Sequence, residues 1–143
     1  MIAVRRLAIV LVLVPALAAC GGSGKSKSSS DTAQIKSAYE KFFSGRTSIS
    51  DRVALLQNGS TFEGVIRGFA SLPLAKNVSA TVSSVTLQGA NSAKVVYTVK
   101  LGSAGLPKQT GTAVRQNGAW KVADASLCKL VSLQGSTPSV CKP

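Results

Sequence analysis

Histidine is absent from the chain. That removes Ser-His-Asp and Cys-His nucleophilic catalysis together with any metal site that depends on imidazole. The side chains left for chemistry are three cysteines and five acids, the acids being Asp31, Glu40, Asp51, Glu63 and Asp124. Asp124 is the acid with a chemical reading. It follows a strand pattern, and with Tyr39 or Tyr97 it would make a carboxylate base beside a phenol donor, the pairing that moves a proton next to a carbonyl. The simpler reading makes Asp124 a helix cap, or a partner of Lys121 or Arg115, and that reading is preferred. Asp31, Asp51 and Glu63 fall at expected helix starts, where capping and the helix dipole account for them. Glu40 lies one step off an apolar stripe and is expected in solvent. No catalytic residue, metal site or cofactor is therefore assigned, and the chain is expected not to be an enzyme.

The cysteines divide by position. Cys20 ends Leu17-Ala18-Ala19-Cys20, which closes an apolar run from Leu7 to Leu17 behind Arg5 and Arg6. Two arginines, a short apolar core and small residues before a cut site are the parts of a secretory signal. A cysteine at the cut is the lipobox of a bacterial lipoprotein, whose thiol takes a diacylglyceryl group. The run is shorter than the ~20 apolar residues of a membrane helix. Residues 1–19 thus read as signal peptide, with Cys20 the lipidated first mature residue. Cys128 and Cys141 remain, an even pair in an exported domain, and are expected to form a disulfide. Their spacing is not that of Cys-x-x-Cys.

The formal charge is +12, from 17 Lys+Arg against 5 Asp+Glu. The signal takes only Arg5 and Arg6 with it, so most of the excess stays. Such a surface is attracted to anionic phospholipid or polymer. The basic residues are scattered from Lys36 to Lys129 without runs or interleaved aromatics, so no nucleic-acid partner is expected.

Residues 20–30 contain the lipidated cysteine followed by Gly, Ser and Lys only. They read as a flexible tether. Residues 31–143 read as one domain. A first helix is expected from Ser30 or Asp31, with Ile35, Ala38, Tyr39, Phe42 and Phe43 on one stripe. A second is expected near Asp51 under a Ser50 cap, with Val53, Leu55 and Leu56 apolar. Ser60-Thr61-Phe62-Glu63 has capping-box spacing and is expected to open a third helix, with Phe62, Val65, Ile66 and Phe69 on one face. Gly64 and Gly68 on that helix suggest close approach of another element. The period then changes to two. Val78, Ala80 and Val82 alternate, and Val85 and Leu87 continue out of phase, which predicts a bulge near Ser83-Ser84. Ala93 to Leu101 is the clearest strand. Gln109 to Gln116 is a third, Asn117-Gly118 a type I′ turn, and Ala119 to Ala123 returns with Trp120 and Val122 on one face. Ser126 reads as cap for a short last helix. Helices followed by a meander give an α+β fold: N-terminal helices packed on a curved antiparallel sheet, with a short C-terminal helix.

Three stretches also carry a resemblance. Ser50-Asp51-Arg52-Val53-Ala54-Leu55-Leu56-Gln57-Asn58-Gly59, then Asn117-Gly118-Ala119-Trp120-Lys121-Val122, then Asp124-Ala125-Ser126-Leu127-Cys128-Lys129-Leu130 resemble the secreted low-molecular-weight antigen family of mycobacteria and related actinobacteria. The resemblance covers about Asp31 to Leu133. It implies a cone-shaped, cystatin-like or nuclear-transport-factor-2-like domain in an exported protein, and no reaction. The acid-plus-tyrosine pair around Asp124 would be the arrangement of ketosteroid isomerase, which shares that fold class.

In such a cone Phe42, Phe43, Phe62, Phe69, Tyr97, Trp120 and Asp124 are candidates to surround a small-ligand pocket. The alternative is that the aromatics only fill the core. The expected function is a lipid-anchored, non-enzymatic binding domain on the outer face of a bacterial cell membrane, with an envelope protein or anionic polymer as partner. The alternative is a carrier or sensor of a small apolar ligand in the cone. An isomerase-type enzyme stands third.

Overall fold

The computed structural model describes residues 23–135 and 137–142. The signal segment and Cys20 lie outside the described residues. Among the described residues, four α-helices and one antiparallel sheet are built from the two hydrophobic periods read above. Helix α1 is Ser23–Phe43, α2 Ile49–Leu55, α3 Glu63–Ala70 and α4 Asp124–Ser132. The strands are β1 Val78–Leu87, β2 Ser92–Leu101, β3 Ala104–Gly105, β4 Gln109–Gln116 and β5 Ala119–Val122. The sheet order is β1-β2-β4-β5, with the short β3 pairing the far end of β2. The fold is the expected α+β class, helices lying in the hollow of a curled sheet.

The period-two pattern of β2 decides its faces. Ala93, Val95, Tyr97 and Val99 are buried, while Lys94 and Lys100 are exposed. In β1 the register slips between Val82 and Ser84, so the bulge falls where the phase change put it. The slip takes the Val82 N–H out of the ladder, and Glu40 Oε1 on α1 accepts it at 3.2 Å. Glu40 is therefore not simply solvated, because a half-buried orphan donor needed an acceptor. Asn117 and Gly118 have φ of 53° and 78°, the two left-handed residues that a type I′ turn requires.

Ile35, Ala38, Tyr39 and Phe42 of α1 are buried against the sheet. The end of α2 runs onto the sheet edge, where Leu56 bridges Val122 in parallel and the Gln57 N–H donates to the Val122 carbonyl at 2.8 Å. That contact covers an otherwise open edge strand. Cys128 and Cys141 are joined, with Cα atoms 5.4 Å apart, which draws the C-terminal segment back onto α4.

Several local expectations are corrected. Helix α1 includes residues 23–30, where a tether was expected. Propagating an existing helix is far cheaper than nucleating one, and Gln34 Nε2 donates back to Ser30 Oγ at 3.2 Å to support the extension. The cap of α2 is Ser48, not Ser50: Ser48 Oγ accepts from Asp51 N at 3.1 Å and donates to its carboxylate at 2.7 Å. The Ser60–Glu63 capping box does not form, because 59–62 winds as a tighter 3₁₀ turn, and Glu63 pairs with Arg67 instead. Gly64 and Gly68 face open space rather than a close neighbour. Ser126 lies inside α4, whose cap position is Ala123.

Candidate functional site

Helices α1, α2, α3 and α4 do not fill the hollow of the sheet. Between them lies a cleft of about 260 Å³. Phe42 and Phe43 close one wall from the end of α1, and Ile66 and Phe69 of α3 close a second. Val78, Val99 and Leu101, at the neighbouring ends of β1 and β2, form the floor. Leu127, Leu130 and Val131 of α4 complete it. The disulfide at Cys128 sits in the middle of that last group and holds this wall against the tail.

The edge of the cleft is as apolar as its wall. Among the described residues the large apolar side chains left exposed are Leu72 (51%), Leu74 (58%), Leu106 (39%) and Leu133 (62%). Each of them lines this cleft. Scattered exposed leucines would need no account, but these four gather at one opening. They come from separate places in the chain: either side of Pro73, the loop before β4, and the residue after α4.

Two polar side chains enter the lining, Arg52 and Gln134. Arg52 sits at α2 position i+3 from Ile49 and i−4 from Leu56, within the helix's apolar stripe. It is only 9% exposed. Its Nη2 donates to the Ser44 carbonyl at 2.6 Å, and its Nε–H is buried without a partner. Burial holds its pKa below the ordinary guanidinium value, though a guanidinium lowered from so high a starting point stays charged at neutral pH.

The sequence candidates separate on this geometry. Phe42, Phe43 and Phe69 line the cleft. Phe62 is buried in the core beside it but does not line it. Tyr97 lies one layer behind, its ring stacked on Phe43 at 5.3 Å. Trp120 shares the same buried core but does not line the cleft; its ring lies under the Arg115 guanidinium at 4.6 Å. Asp124 is half-exposed at the start of α4, outside the cleft. Its Oδ1 accepts from Ala125 N at 2.7 Å and its Oδ2 from Asn58 Nδ2 at 3.0 Å, so it serves the helix end rather than Lys121 or Arg115. The acid-plus-tyrosine pair is not assembled: the Tyr39 hydroxyl donates to the Thr112 carbonyl at 2.7 Å, and Ser126 Oγ lies 3.4 Å from it.

The hydrogen bonds around Thr112 have a structural cause. β5 pairs β4 only from Ala113 onward, so the backbone of Thr112 meets no strand on that side. Ala123 N–H donates to the Thr112 carbonyl at 2.9 Å, and Ser126 Oγ accepts the Thr112 N–H at 2.8 Å. Ser126 and Tyr39 thus satisfy buried backbone groups past the end of a short strand. Sequence reasoning missed Arg52, which it counted among scattered surface cations. Its place on the stripe between Ile49 and Leu56 was the signal. The four leucines carried no periodic signal at all.

The family model for the C-terminal domain of low molecular weight antigen MTB12 matches residues 29–138. The chain belongs to this family. Membership places it among secreted or envelope-associated proteins. The match runs from within α1 to the segment before Cys141, and so includes every wall of the cleft in this MTB12-type domain. None of the curated proteins matches the chain.

Proposed function

We propose that this MTB12-family domain is a non-enzymatic carrier or sensor of a small apolar ligand, held at the outer face of the cell membrane by lipid on Cys20. The observation that carries the reading is the apolar cleft of about 260 Å³ with Leu72, Leu74, Leu106 and Leu133 exposed around it. Between the two binding modes expected from the sequence, a partner on the basic surface and a ligand in the cone, the cleft favours the second. A filled core would have favoured the first. Water in so apolar a space has few partners, so an apolar occupant that displaces it is favoured. The leucines at the edge extend that apolar path outward, which suits uptake from or delivery to a bilayer on which the domain is anchored.

The test is native mass spectrometry of the protein purified from its own envelope. A bound small molecule, lost on denaturation, is the expected result. An apo mass, together with no binding of any aliphatic probe by the purified protein, would overturn the reading.

A further inference from the structure

We infer that the ligand is an anionic amphiphile, a single aliphatic chain ending in a carboxylate, with its head group on Arg52 and its chain leading out past the leucines. This rests on the cleft being the ligand site. The argument is one of charge without a partner. Arg52 is nine-tenths buried, lines the cleft and has an unpartnered buried Nε–H. The Ser44 carbonyl, its one hydrogen-bond acceptor among the described residues, carries no charge. The acids that could neutralise it are all engaged elsewhere. Asp31 pairs with Arg115, Glu63 with Arg67 and Glu40 with Lys36, while Asp51 is bound to Ser48 and Asp124 to Asn58.

A cation in a low-dielectric site is costly unless paired and hydrogen-bonded. On the apolar stripe of α2 an aliphatic residue would pack at no such cost. A carboxylate from outside supplies what the protein does not: a negative charge and an acceptor for Nε–H. Arg52 is 9% exposed whereas the leucines are 39–62% exposed, which orders the cleft with its charge inside and its apolar edge outside. An amphiphile entering head first matches that order. The positive excess, formally +12 with only Arg5 and Arg6 of it in the signal, attracts the anion in the first place. Size sets the chain length. A cavity of ~150 Å³ holds a benzene ring, so about 260 Å³ takes roughly ten carbons, and a longer chain would emerge over the leucines. One guanidinium, with no second cation among the described residues that line the cleft, favours a monoanion over a phosphate dianion.

The experiment uses the chain from Cys20 onward with Cys20→Ser, which can carry no lipid on that residue. Dodecanoate, dodecanol, dodecyltrimethylammonium and dodecyl phosphate are titrated in by calorimetry, and carboxyl-labelled dodecanoate is followed by carbon NMR against pH. Dodecanoate is expected to bind at least tenfold tighter than dodecanol, and the ammonium more weakly than either. The bound carboxyl should titrate below the free one. Arg52→Met should erase the preference while dodecanol still binds. Should that variant fail to fold, the comparison of head groups on the parent protein and the NMR titration decide alone. Equal binding of carboxylate and alcohol overturns the head-group assignment and leaves the apolar cleft standing. Dodecyl phosphate binding tenfold tighter than dodecanoate also overturns it. Binding of no probe overturns both.

Discussion

A methyl group placed on Gly111 would lie 2.6 Å from the Tyr39 hydroxyl oxygen. Ser126 Oγ would be 2.9 Å away and Tyr97 Cε1 3.1 Å. Gly111 is thus the seat on β4 into which the α1 tyrosine and the α4 serine close. Ordinarily a glycine inside a strand is replaced by alanine with a gain. Here the hydroxyl has to leave the Thr112 carbonyl, and overpacking of that kind costs about 1–3 kcal/mol. Gly111→Ala should lower the urea midpoint accordingly. Gly68→Ala, in open space on α3, should raise stability by up to about 1 kcal/mol. A Gly111→Ala protein as stable as the parent would show that the three elements do not meet there.

Arg115 links two elements far apart in sequence, its Nη2 2.6 Å from Asp31 Oδ1 on α1 and its guanidinium over Trp120. The Trp120 indole N–H first, and the Arg115 guanidinium next, hold the Asp31 carboxyl below its usual 3.8. The indole N–H is buried and meets no acceptor in full hydrogen-bond geometry, so it acts here mainly as a dipole aimed at the charge. A carboxyl depressed in the folded state adds stability that is complete above its unfolded pKa and is lost as pH falls through the folded one. The parent should therefore exceed Asp31→Asn in urea midpoint at pH 6, and the gap should close below about pH 4. A gap independent of pH would mean that the charge on Asp31 contributes nothing.

What was legible in the sequence is what local chemistry dictates. The Val82-to-Val85 phase slip fixed the bulge, Asn117-Gly118 fixed the hairpin, and the alternation of Ala93 to Val99 fixed the buried face of β2. The site was half legible. Phe42, Phe43 and Phe69 were found because they lie on helix stripes that must face the sheet. Tyr97 and Trp120 were correctly expected inside, but which buried residue borders an empty space depends on how α3, α4 and the 71–75 turn meet. No period encodes that. Arg52 was misplaced for the opposite reason: its type argued for solvent, and its position on the stripe, which argued for burial, was the stronger fact. Asp124 looked chemical only while its neighbours Asn58 and Ala125 were unknown.

The chain has two tyrosines, so alkaline titration reads both without ambiguity. Burial pushes the Tyr39 hydroxyl up to about 12, with the Ser126 hydrogen bond opposing it. Burial pushes Tyr97 up as well, and neighbouring Tyr39 adds to the shift. A phenolate in this core would lose its water and gain no cation. A pKa raised in the folded state gives stability that is complete below the unfolded value near 10 and is lost as pH rises through the folded one. Tyrosinate absorbance should stay silent through about pH 11, then rise together with the loss of native Trp120 fluorescence. A phenol that ionises near 10 while the fluorescence stays native would place that ring in water.

The disulfide closes a short loop, Cys128 to Cys141 being 13 residues apart. In the chain-entropy model that contributes about 3 kcal/mol through the unfolded state. Here it also has a local effect, because Cys128 stands between Leu127 and Leu130 on the cleft wall. Reduction should lower the urea midpoint and weaken binding of an aliphatic probe, since α4 loses the clamp next to Leu127 and Leu130. Protein from the envelope, denatured without reductant and alkylated, should carry no adduct on either cysteine. Free thiols there would remove the clamp. Unchanged probe affinity in a Cys128→Ser, Cys141→Ser protein that still folds would show that the wall is held by packing of Leu127 and Val131 alone.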